Sequence, residues 1–345
     1  MKPRRVPGRP QAGMAVISAL LVVAAVSVLV AGMVDRQSTQ VRTLESEQAR
    51  VQARWLLSGG MDWARATLRG DARRSAVTHA GQLWATPIVD LRISQEGDDR
   101  LAVFSGRAED EQGKYNLQNL AQDGLVREDQ VQALGRLLQS LRLPADLAAD
   151  IAERIARAQA RPLAAGQDGQ DGLDGRDGGG QPDDTGQQGE AASSGAGAAG
   201  RPRRGTALAP GLRSIDGLRG MPGLDEQALQ ALRPYLTVLP VRTPLNVNTA
   251  RAEVLAMLSP AMSLSQAMAL VDQRDRGQYF NNRADFVNRL ANPEIELAAD
   301  AVVADSDWFG VYGTLRLERA SLDMQALLHR SGQDMPRVIW MMEVQ

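Results

Sequence analysis

The chain has 345 residues, of which 43% are hydrophobic and 23% are charged, so it has room for two domains of ordinary size with packed cores. Its 39 basic residues nearly balance its 41 acidic residues, which argues against a generally basic nucleic-acid-binding protein. It contains no cysteine, and His79 and His329 are its only histidines, which excludes disulfides, thiolate metal sites, cysteine nucleophiles and a multi-histidine metal centre.

Residues 14–34 form an uncharged apolar segment near the N-terminus, with the sequence MAVISALLVVAAVSVLVAGMV. As a helix this segment is about 31 Å long, which matches the hydrocarbon core of a bilayer. Basic residues precede it without any acidic residue, namely Lys2, Arg4, Arg5 and Arg9. The positive-inside rule therefore predicts a single-pass protein with its N-terminus in the cytoplasm and its soluble region on the other side of the membrane.

The junction before the apolar segment reads Gln11-Ala12-Gly13-Met14. A short basic leader, a glycine and a long apolar helix together resemble the leader of type IV pilin-like proteins. The resemblance implies that a prepilin peptidase cuts between Gly13 and Met14 and that Met14 becomes N-methylated. A cleaved secretory signal peptide is the alternative, but its apolar region is ordinarily shorter.

The helix is predicted to continue from residue 14 to about residue 67, because no proline interrupts this part of the chain. Four apolar residues fall on one stripe at helical spacing, namely Val41, Leu44, Val51 and Trp55. This stripe is predicted to pack on the protein's own soluble domain, as the second half of a pilin helix does.

Ser18 departs from the pilin-like pattern. Most proteins of that class carry a glutamate at the fifth position after the cut, and its carboxylate is thought to pair with the terminal amine of the subunit above. A carboxylate without a partner is costly in hydrocarbon, so a subunit with no neighbour above it needs none. Ser18 therefore marks a tip subunit, unless the substitution is without meaning or the cut lies elsewhere.

Alternating apolar and polar residues predict strands at 88–94 and 101–107. The stretch 106–120 reads GRAEDEQGKYNLQNL, and Gly113 opens a turn before a further strand-like run. This stretch closely resembles the minor pseudopilin of type II secretion called general secretion pathway protein K. In that family it ends a strand pair and leads into an inserted helical domain.

Apolar residues at helical spacing predict helices at 126–141 and 144–161, with acidic residues in their opening turns. Residues 164–205 follow as a Gly/Asp-rich segment without aromatic residues, which predicts a flexible loop. Glycine recurs at every third position over 166–178, but these triplets lack the proline that a collagen helix needs.

Calcium is the one cofactor that the resemblance implies. Proteins of this family bind calcium with acidic residues that include an Asp-Trp-x-Asp-x-Asp stretch. At the corresponding positions, 153–158, this chain has ERIARA, so those ligands are absent. Asp183 and Asp184 correspond to a later acidic pair of the family, and they are the expected calcium ligands here.

The stretch 244–255, PLNVNTARAEVL, precedes helices predicted at about 265–274 and 285–290, and Thr249 is expected to cap the helix that opens at Ala252. It also resembles helix-hairpin-helix modules of DNA-binding proteins, so a membrane-anchored DNA-binding protein of a pilus or competence system is the alternative function. Such modules need a glycine-containing hairpin where backbone amides approach a phosphate, and the connection 258–264 contains no glycine.

Strands are predicted again at 308–320, 321–330 and 338–344. The fold class is therefore α+β: a pilin-like long N-terminal helix packed on an antiparallel sheet, with a large inserted all-helical domain. The predicted parts are a leader at 1–13, the long helix at 14–67, the first sheet region at 68–120, the inserted domain at 121–300 and the final strands at 301–345.

The sequence contains no nucleophile elbow, no zinc-protease motif and no phosphate-binding loop, so no enzymatic activity is expected. The resemblance implies the tip subunit of a type II secretion pseudopilus in the bacterial inner membrane, which initiates or caps assembly. Its nearest partners would be the minor pseudopilins I and J. The resemblance also implies contact with other pseudopilins, the prepilin peptidase, the inner-membrane assembly platform, the secretin and exported proteins, and not with nucleic acid.

Overall fold

The computed structural model describes residues 12–95, 98–160, 207–317 and 320–344. Within these residues the α-helices are α1 (Ala12–Arg74), α2 (Glu128–Ser140), α3 (Leu147–Arg157), α4 (Glu226–Leu232), α5 (Ala252–Ala256), α6 (Leu264–Asp275) and α7 (Arg283–Asn288). The strands are β1 (Ile88–Gln95), β2 (Asp98–Asp110), β3 (Tyr115–Asn116), β4 (Ala121–Gln122), β5 (Leu125–Val126), β6 (Leu236–Thr237), β7 (Leu245–Asn246), β8 (Val302–Val303), β9 (Trp308–Leu317), β10 (Ala320–His329) and β11 (Arg337–Val344). The leader up to residue 11 and the Gly/Asp-rich segment 164–205, with Asp183 and Asp184, lie outside the described residues.

The chain divides into two compact units. The first consists of Met1–Arg74, Gln82–Glu109 and Phe309–Gln345, and the second of Ser75–Gly81 and Asp110–Trp308. The first unit holds the long helix and the large sheet, and the second holds the remaining helices and the short strands.

Helix α1 is the main element of the first unit and extends beyond the predicted range of 14–67 at both ends. Its packed stripe consists of residues three or four positions apart, namely Ala53, Leu57, Met61, Ala64 and Leu68. These side chains form one apolar core with sheet residues that include Phe104, Phe309 and Leu315. The soluble half of the helix is therefore held by burial of one apolar face.

The predicted packing stripe of α1 is wrong. Val41, Leu44 and Val51 are exposed in the isolated chain, and Trp55 is 75% exposed. The sheet instead covers another side of the helix, where small residues permit close approach: a Cβ atom on Gly60 would lie 2.7 Å from the Phe104 ring. The sheet covers only this side of the helix, so the apolar face that carries Val41, Leu44, Val51 and Trp55 stays uncovered in the isolated chain.

The large sheet has five strands in the order β1-β2-β9-β10-β11. The outer pairs, β1 with β2 and β10 with β11, are antiparallel. The chain leaves this sheet after β2 and returns to it in β9, beside the strand that it left. The predicted strands at 88–94, 101–107 and 338–344 are confirmed as β1, β2 and β11. The alternating pattern of β2 reflects one covered face, where Ala102 and Phe104 are buried, whereas nearly all residues of β11 are exposed.

Arginines on α1 bind the turn between β10 and β11, and β11 itself. Arg65 donates from Nε to the carbonyl oxygen of Pro336 at 2.8 Å, and Arg69 donates to that of Gln333 at 3.3 Å. Arg54 forms an ion pair with Glu343 of β11. These contacts accompany the apolar stripe and fix which side of the helix faces the β10–β11 turn.

The second unit is mostly helical but is not all-helical as predicted. It contains three two-stranded ladders, β3 with β6, β4 with β5 and β7 with β8. The predicted strand-like run after Gly113 is also shorter than expected: Tyr115 and Asn116 form β3, and Leu117–Leu120 turn into a 3₁₀-helix. The Asn116 side chain accepts a hydrogen bond from the backbone of Gln118, which starts this turn.

Side-chain caps start several helices of the second unit. Asp225 accepts from the backbone N–H of Ala228 at the start of α4, and Ser263 and Gln266 form a capping box at the start of α6. The expected cap on Thr249 is wrong, because α5 begins after Arg251 without a side-chain cap. Thr249 makes a different contact, described below.

Candidate functional site

The apolar half of α1 is the first candidate site. Val16–Met33 is an 18-residue stretch with a mean hydropathy of 2.7, none of it buried within the protein. Among the described residues this is the one helix long and apolar enough to cross a membrane, judged by length and composition. Its apolar side chains, with Leu29 at 73% exposure, need lipid or neighbouring helices to cover them.

Ser18 lies in the second turn of α1, within an exposed part of the helix. No Asp, Glu, Lys or Arg occurs from Val16 to Met33. Ser27 shows how a hydroxyl group is accommodated there, since its Oγ donates to the carbonyl oxygen of Val23 at 2.8 Å. The backbone of Gly13 and Met14 also lies in α1, whereas the Met14 side chain is outside the described part.

A buried polar cluster in the second unit is the second candidate site, and Asp110 is its centre. The Asp110 carboxyl group accepts from the hydroxyls of Ser306 at 2.6 Å and Thr249 at 2.5 Å, and from the Asn246 amide at 2.9 Å. It also accepts from the backbone N–H of Gln112 at 2.9 Å. Burial raises the pKa of Asp110, and these hydrogen bonds oppose that shift.

The two asparagines of the 244–255 stretch extend this cluster. Asn246 also donates to the backbone of Thr78 at 3.0 Å, and so ties the short segment 75–81 to the rest of the unit. Asn248 donates to the carbonyl oxygen of Phe280 at 2.9 Å and accepts from its N–H at 2.8 Å. The two asparagines of this stretch therefore hydrogen-bond chain segments that are distant in sequence. Helix capping had been expected of the stretch instead.

Thr249 approaches the backbone of Gly113 so closely that only glycine fits at this position. A Cβ atom there would lie 2.7 Å from Thr249 Oγ1 and 3.1 Å from the Thr249 carbonyl carbon. Beside it, Glu111 accepts from Lys114 at 3.1 Å and from the Thr237 hydroxyl at 2.7 Å in a largely buried ion pair. In the 106–120 stretch, Asp110, Glu111 and Gly113 thus make contacts inside the protein.

Basic side chains near the 244–255 stretch point into the protein. Arg274 is buried and donates to the carbonyl oxygens of Val247 and Ala250, at 3.1 and 2.6 Å. Arg289 donates to that of Gln278 at 2.9 Å and pairs with Asp285 at 2.8 Å. These arginines hold backbone oxygens in place, and this does not favour phosphate binding by the helices.

The histidines and acidic residues do not form a catalytic or metal-binding constellation in the described ranges. His79 stacks on the Tyr279 ring with a centroid distance of 3.6 Å, and His329 ends β10. Over the same ranges no group of three or more His, Cys, Asp or Glu side chains could hold a metal ion. The expected calcium ligands Asp183 and Asp184 lie outside those ranges.

Helix α1 is 63 residues long; its first part, Val16–Met33, is apolar and uncharged, and its later part packs on a five-stranded sheet. This is the architecture of a pilin-like subunit with an apolar N-terminal helix. Residues 113–172 and 245–305 match the family described as type II secretion system, protein K. Type II secretion system protein K of Pseudomonas aeruginosa PAO1 is 30% identical over 289 residues, which cover 82% of this chain and 78% of that protein. The chain belongs to the type II secretion system protein K family, whose members are structural proteins and not enzymes.

Further relatives cover nearly the whole chain. The protein K of Pectobacterium carotovorum subsp. carotovorum is 28% identical, and that of Klebsiella pneumoniae 27%, each over 94% of both chains. The fold resembles a chain in the crystal structure of the GspK-GspI-GspJ complex from the enterotoxigenic Escherichia coli type 2 secretion system. The TM-score is 0.58 at 21% identity, covering 87% of this chain and 99% of that one.

Proposed function

We propose that this chain is the apex subunit of a type II secretion pseudopilus, where it initiates and caps assembly. The observation that carries the proposal is the uncharged anchor, in which Ser18 takes the place of the carboxylate that pairs with a subunit above. Such a subunit packs its helix against the helices of the subunits below it, and no further subunit is added above it. The complex named for the Escherichia coli relative supports minor pseudopilins of the I and J types as its neighbours.

The proposed topology has the N-terminus in the cytoplasm and the soluble units in the periplasm, where the secretin and exported proteins are met. The basic leader residues before the anchor support this orientation. Cleavage between Gly13 and Met14 and methylation of Met14 follow from the same topology, because the prepilin peptidase acts at the cytoplasmic end of the helix. The assembly platform of the inner membrane would then lift the mature helix into the fibre.

The exposed face of α1 supports lateral assembly. Leu44, Val51 and Trp55 continue the uncovered apolar surface of Val16–Met33 past the membrane segment. Burial of such side chains against neighbouring helices releases water from apolar surface, which favours association. The stripe that was expected to pack internally is therefore proposed as a face for other pseudopilin helices.

The second unit supports capping. Residues 110–308 are proposed to be an insertion between β2 and β9 of a pilin-like fold, and this bulk would obstruct addition of a further subunit.

Asp183 and Asp184 are proposed to bind calcium in the segment between α3 and α4. Loss of a calcium-dependent rise in melting temperature on replacing both by Asn, with magnesium as the control ion, would test this.

A charge placed at residue 18 tests the apex proposal. Ser18→Glu and the matched control Ser18→Ala would be expressed in cells that assemble pseudopili, and the number of fibres would be counted. We expect Ser18→Ala to initiate fibres normally and Ser18→Glu to reduce them, because a carboxylate without a partner costs about 3 kcal/mol in the membrane. Equal fibre numbers for both variants would contradict the role given to Ser18.

A further inference from the structure

A groove of about 450 Å³ with polar and apolar walls opens within the second unit. Its walls come from the first half of α2, from the segment leading into β7 and from residues 296–301. The volume is in the range of ligand sites, roughly 300–1,000 Å³. Neither the buried polar cluster around Asp110 nor the anchor contributes to it.

Some of the charged residues that line the groove are already neutralised by neighbours. Lys114 pairs with Glu111 at 3.1 Å, and Arg127 pairs with Asp129 at 2.9 Å. Tyr115 is buried and donates its hydroxyl hydrogen to Gln130 at 3.0 Å. These contacts hold the side chains of this wall in place, and each of the two ion pairs has no net charge.

Two arginines of the groove have no carboxylate partner among the described residues. Arg136, on α2, is half-buried and donates from Nε and Nη2 to the carbonyl oxygen of Met257, at 3.0 and 2.7 Å. Arg242 is exposed and donates to the amide oxygen of Gln122 at 2.9 Å. Burial lowers the pKa of Arg136, as expected for a guanidinium group whose desolvation no acid offsets.

Two acidic residues line the same groove from the segment that precedes β8. Glu296 and Asp300 are both exposed, and neither makes an ion pair or a side-chain hydrogen bond with any described residue. The groove thus offers two guanidinium groups and two carboxylates, none of them neutralised by an opposite charge within the described residues. A phosphate dianion would meet these carboxylates unfavourably, whereas a ligand with both signs of charge would satisfy all four groups.

We propose that this groove binds a polypeptide segment of another protein that carries one carboxylate and one basic side chain. The carboxylate lies against Arg136 and Arg242, where a guanidinium group forms strong charge-assisted hydrogen bonds. The basic side chain lies against Glu296 and Asp300. This site is independent of the apex position, because it needs neither Ser18 nor the exposed face of α1.

Fluorescence anisotropy with the full chain in lipid nanodiscs tests the proposal. The probes are labelled Gly/Ser pentapeptides with one Asp and one Lys separated by one, two or three residues. We expect at least one of them to bind with a Kd below about 1 mM, and to lose at least tenfold in affinity when Asp is replaced by Asn or Lys by Gln. Salt should weaken this binding, since the groups are partly exposed.

Variants of the protein locate the binding. Arg136→Gln should lose at least tenfold in affinity, whereas Arg154→Gln is the matched control, because Arg154 also donates to a backbone oxygen, that of Gly217, but lies outside the groove. The double variant Glu296→Gln/Asp300→Asn removes no hydrogen bond seen between described residues, so it should keep the melting temperature of the wild type. It should bind the Lys peptide no better than the Gln peptide.

Three results would overturn the proposal. They are the failure of every charged peptide to bind with a Kd below about 1 mM, equal binding by Arg136→Gln with an unchanged melting temperature, and equal binding of the neutral peptides. Free aspartate and free lysine at millimolar concentration are expected not to displace the bound peptide, because each matches one pair of charges. Displacement by either alone would reassign the groove to a single amino acid.

Discussion

Asp110 has a buried carboxyl group, 7% exposed, which is held by neutral donors only among the described residues. Replacing it with Ala would leave the hydroxyls of Ser306 and Thr249 and the Asn246 amide without their acceptor. We expect Asp110→Ala to lower the free energy of unfolding at acidic pH by about 3 kcal/mol, since buried donors without partners are costly. Asp272→Ala is the control, because Asp272 is exposed on α6 and its side chain makes no hydrogen bond or ion pair with any described residue. A similar loss for both variants in chemical denaturation would contradict this role.

The same carboxyl group predicts a pH dependence. Its pKa is raised in the folded state above the ordinary value of 3.8, so the folded protein keeps a proton that the unfolded chain has released. The contribution of Asp110 is then complete below about pH 3.8 and declines as the pH rises through the raised pKa. We expect the stability gap between wild type and Asp110→Ala, measured by denaturation at several pH values, to narrow with rising pH; a gap that widens would show that the pKa is lowered.

Sequence reasoning found part of this cluster and missed its centre. The 244–255 stretch was recognised as distinctive, and Gly113 was expected at a turn, because both stand out locally. Asp110 was missed because its partners Asn246, Thr249 and Ser306 are 136, 139 and 196 positions away in the chain. No local pattern reports contacts of that separation, and the same limit explains why Thr249 was mistaken for a helix cap.

At the scale of elements, two adjacent glycines of α1 differ in what surrounds them. A Cβ atom on Gly59 would meet nothing within 4 Å, whereas one on Gly60 would meet the Phe104 ring at 2.7 Å. We expect Gly59→Ala to raise stability by about 1 kcal/mol through helix propensity, and Gly60→Ala to lower it by about 1–3 kcal/mol through overpacking. Thermal denaturation of both variants measures this, and a stabilising Gly60→Ala would mean that α1 does not lie close to the sheet.

The two apolar faces of α1 have different expected roles. Leu57 is 1% exposed in the core, whereas Trp55 is 75% exposed on the uncovered face. We expect Leu57→Ala to cost about 2–5 kcal/mol of stability, and Trp55→Ala to leave the melting temperature nearly unchanged while weakening co-purification with the I- and J-type partners. Unchanged co-purification of Trp55→Ala would remove this face from the assembly surface.

Local signals predicted most elements well and the packing of α1 badly. Alternation predicted β1 and β2, and acidic first turns marked α2 and α3, because these patterns record one covered face or one helix end. The stripe on α1 was misjudged because this helix has apolar residues on two faces, and their spacing does not tell which face the sheet covers. The packed face carries Leu57, Met61 and Leu68 between the small residues Ala53 and Ala64. Two-residue ladders such as β7 with β8 are too short to leave a pattern.

At the scale of the whole molecule, the account depends on one anchor that brings no charge into the membrane. Val16–Met33 is exposed along its length in the isolated chain, so it needs lipid before assembly and neighbouring helices afterwards. The sequence sufficed for this conclusion, because length and hydropathy alone define the segment. Which subunits lie next to it in the fibre also depends on the sequences of those subunits, so this sequence alone cannot specify them.

The position of this chain in the pseudopilus tests the account most directly. A gold label attached to the second unit of the wild-type protein would be located by electron microscopy on isolated fibres. We predict a single label at one end of each fibre, because Ser18 leaves no carboxylate for a subunit above. Labels distributed along the shaft would contradict the apex position, whatever partners the protein binds in solution.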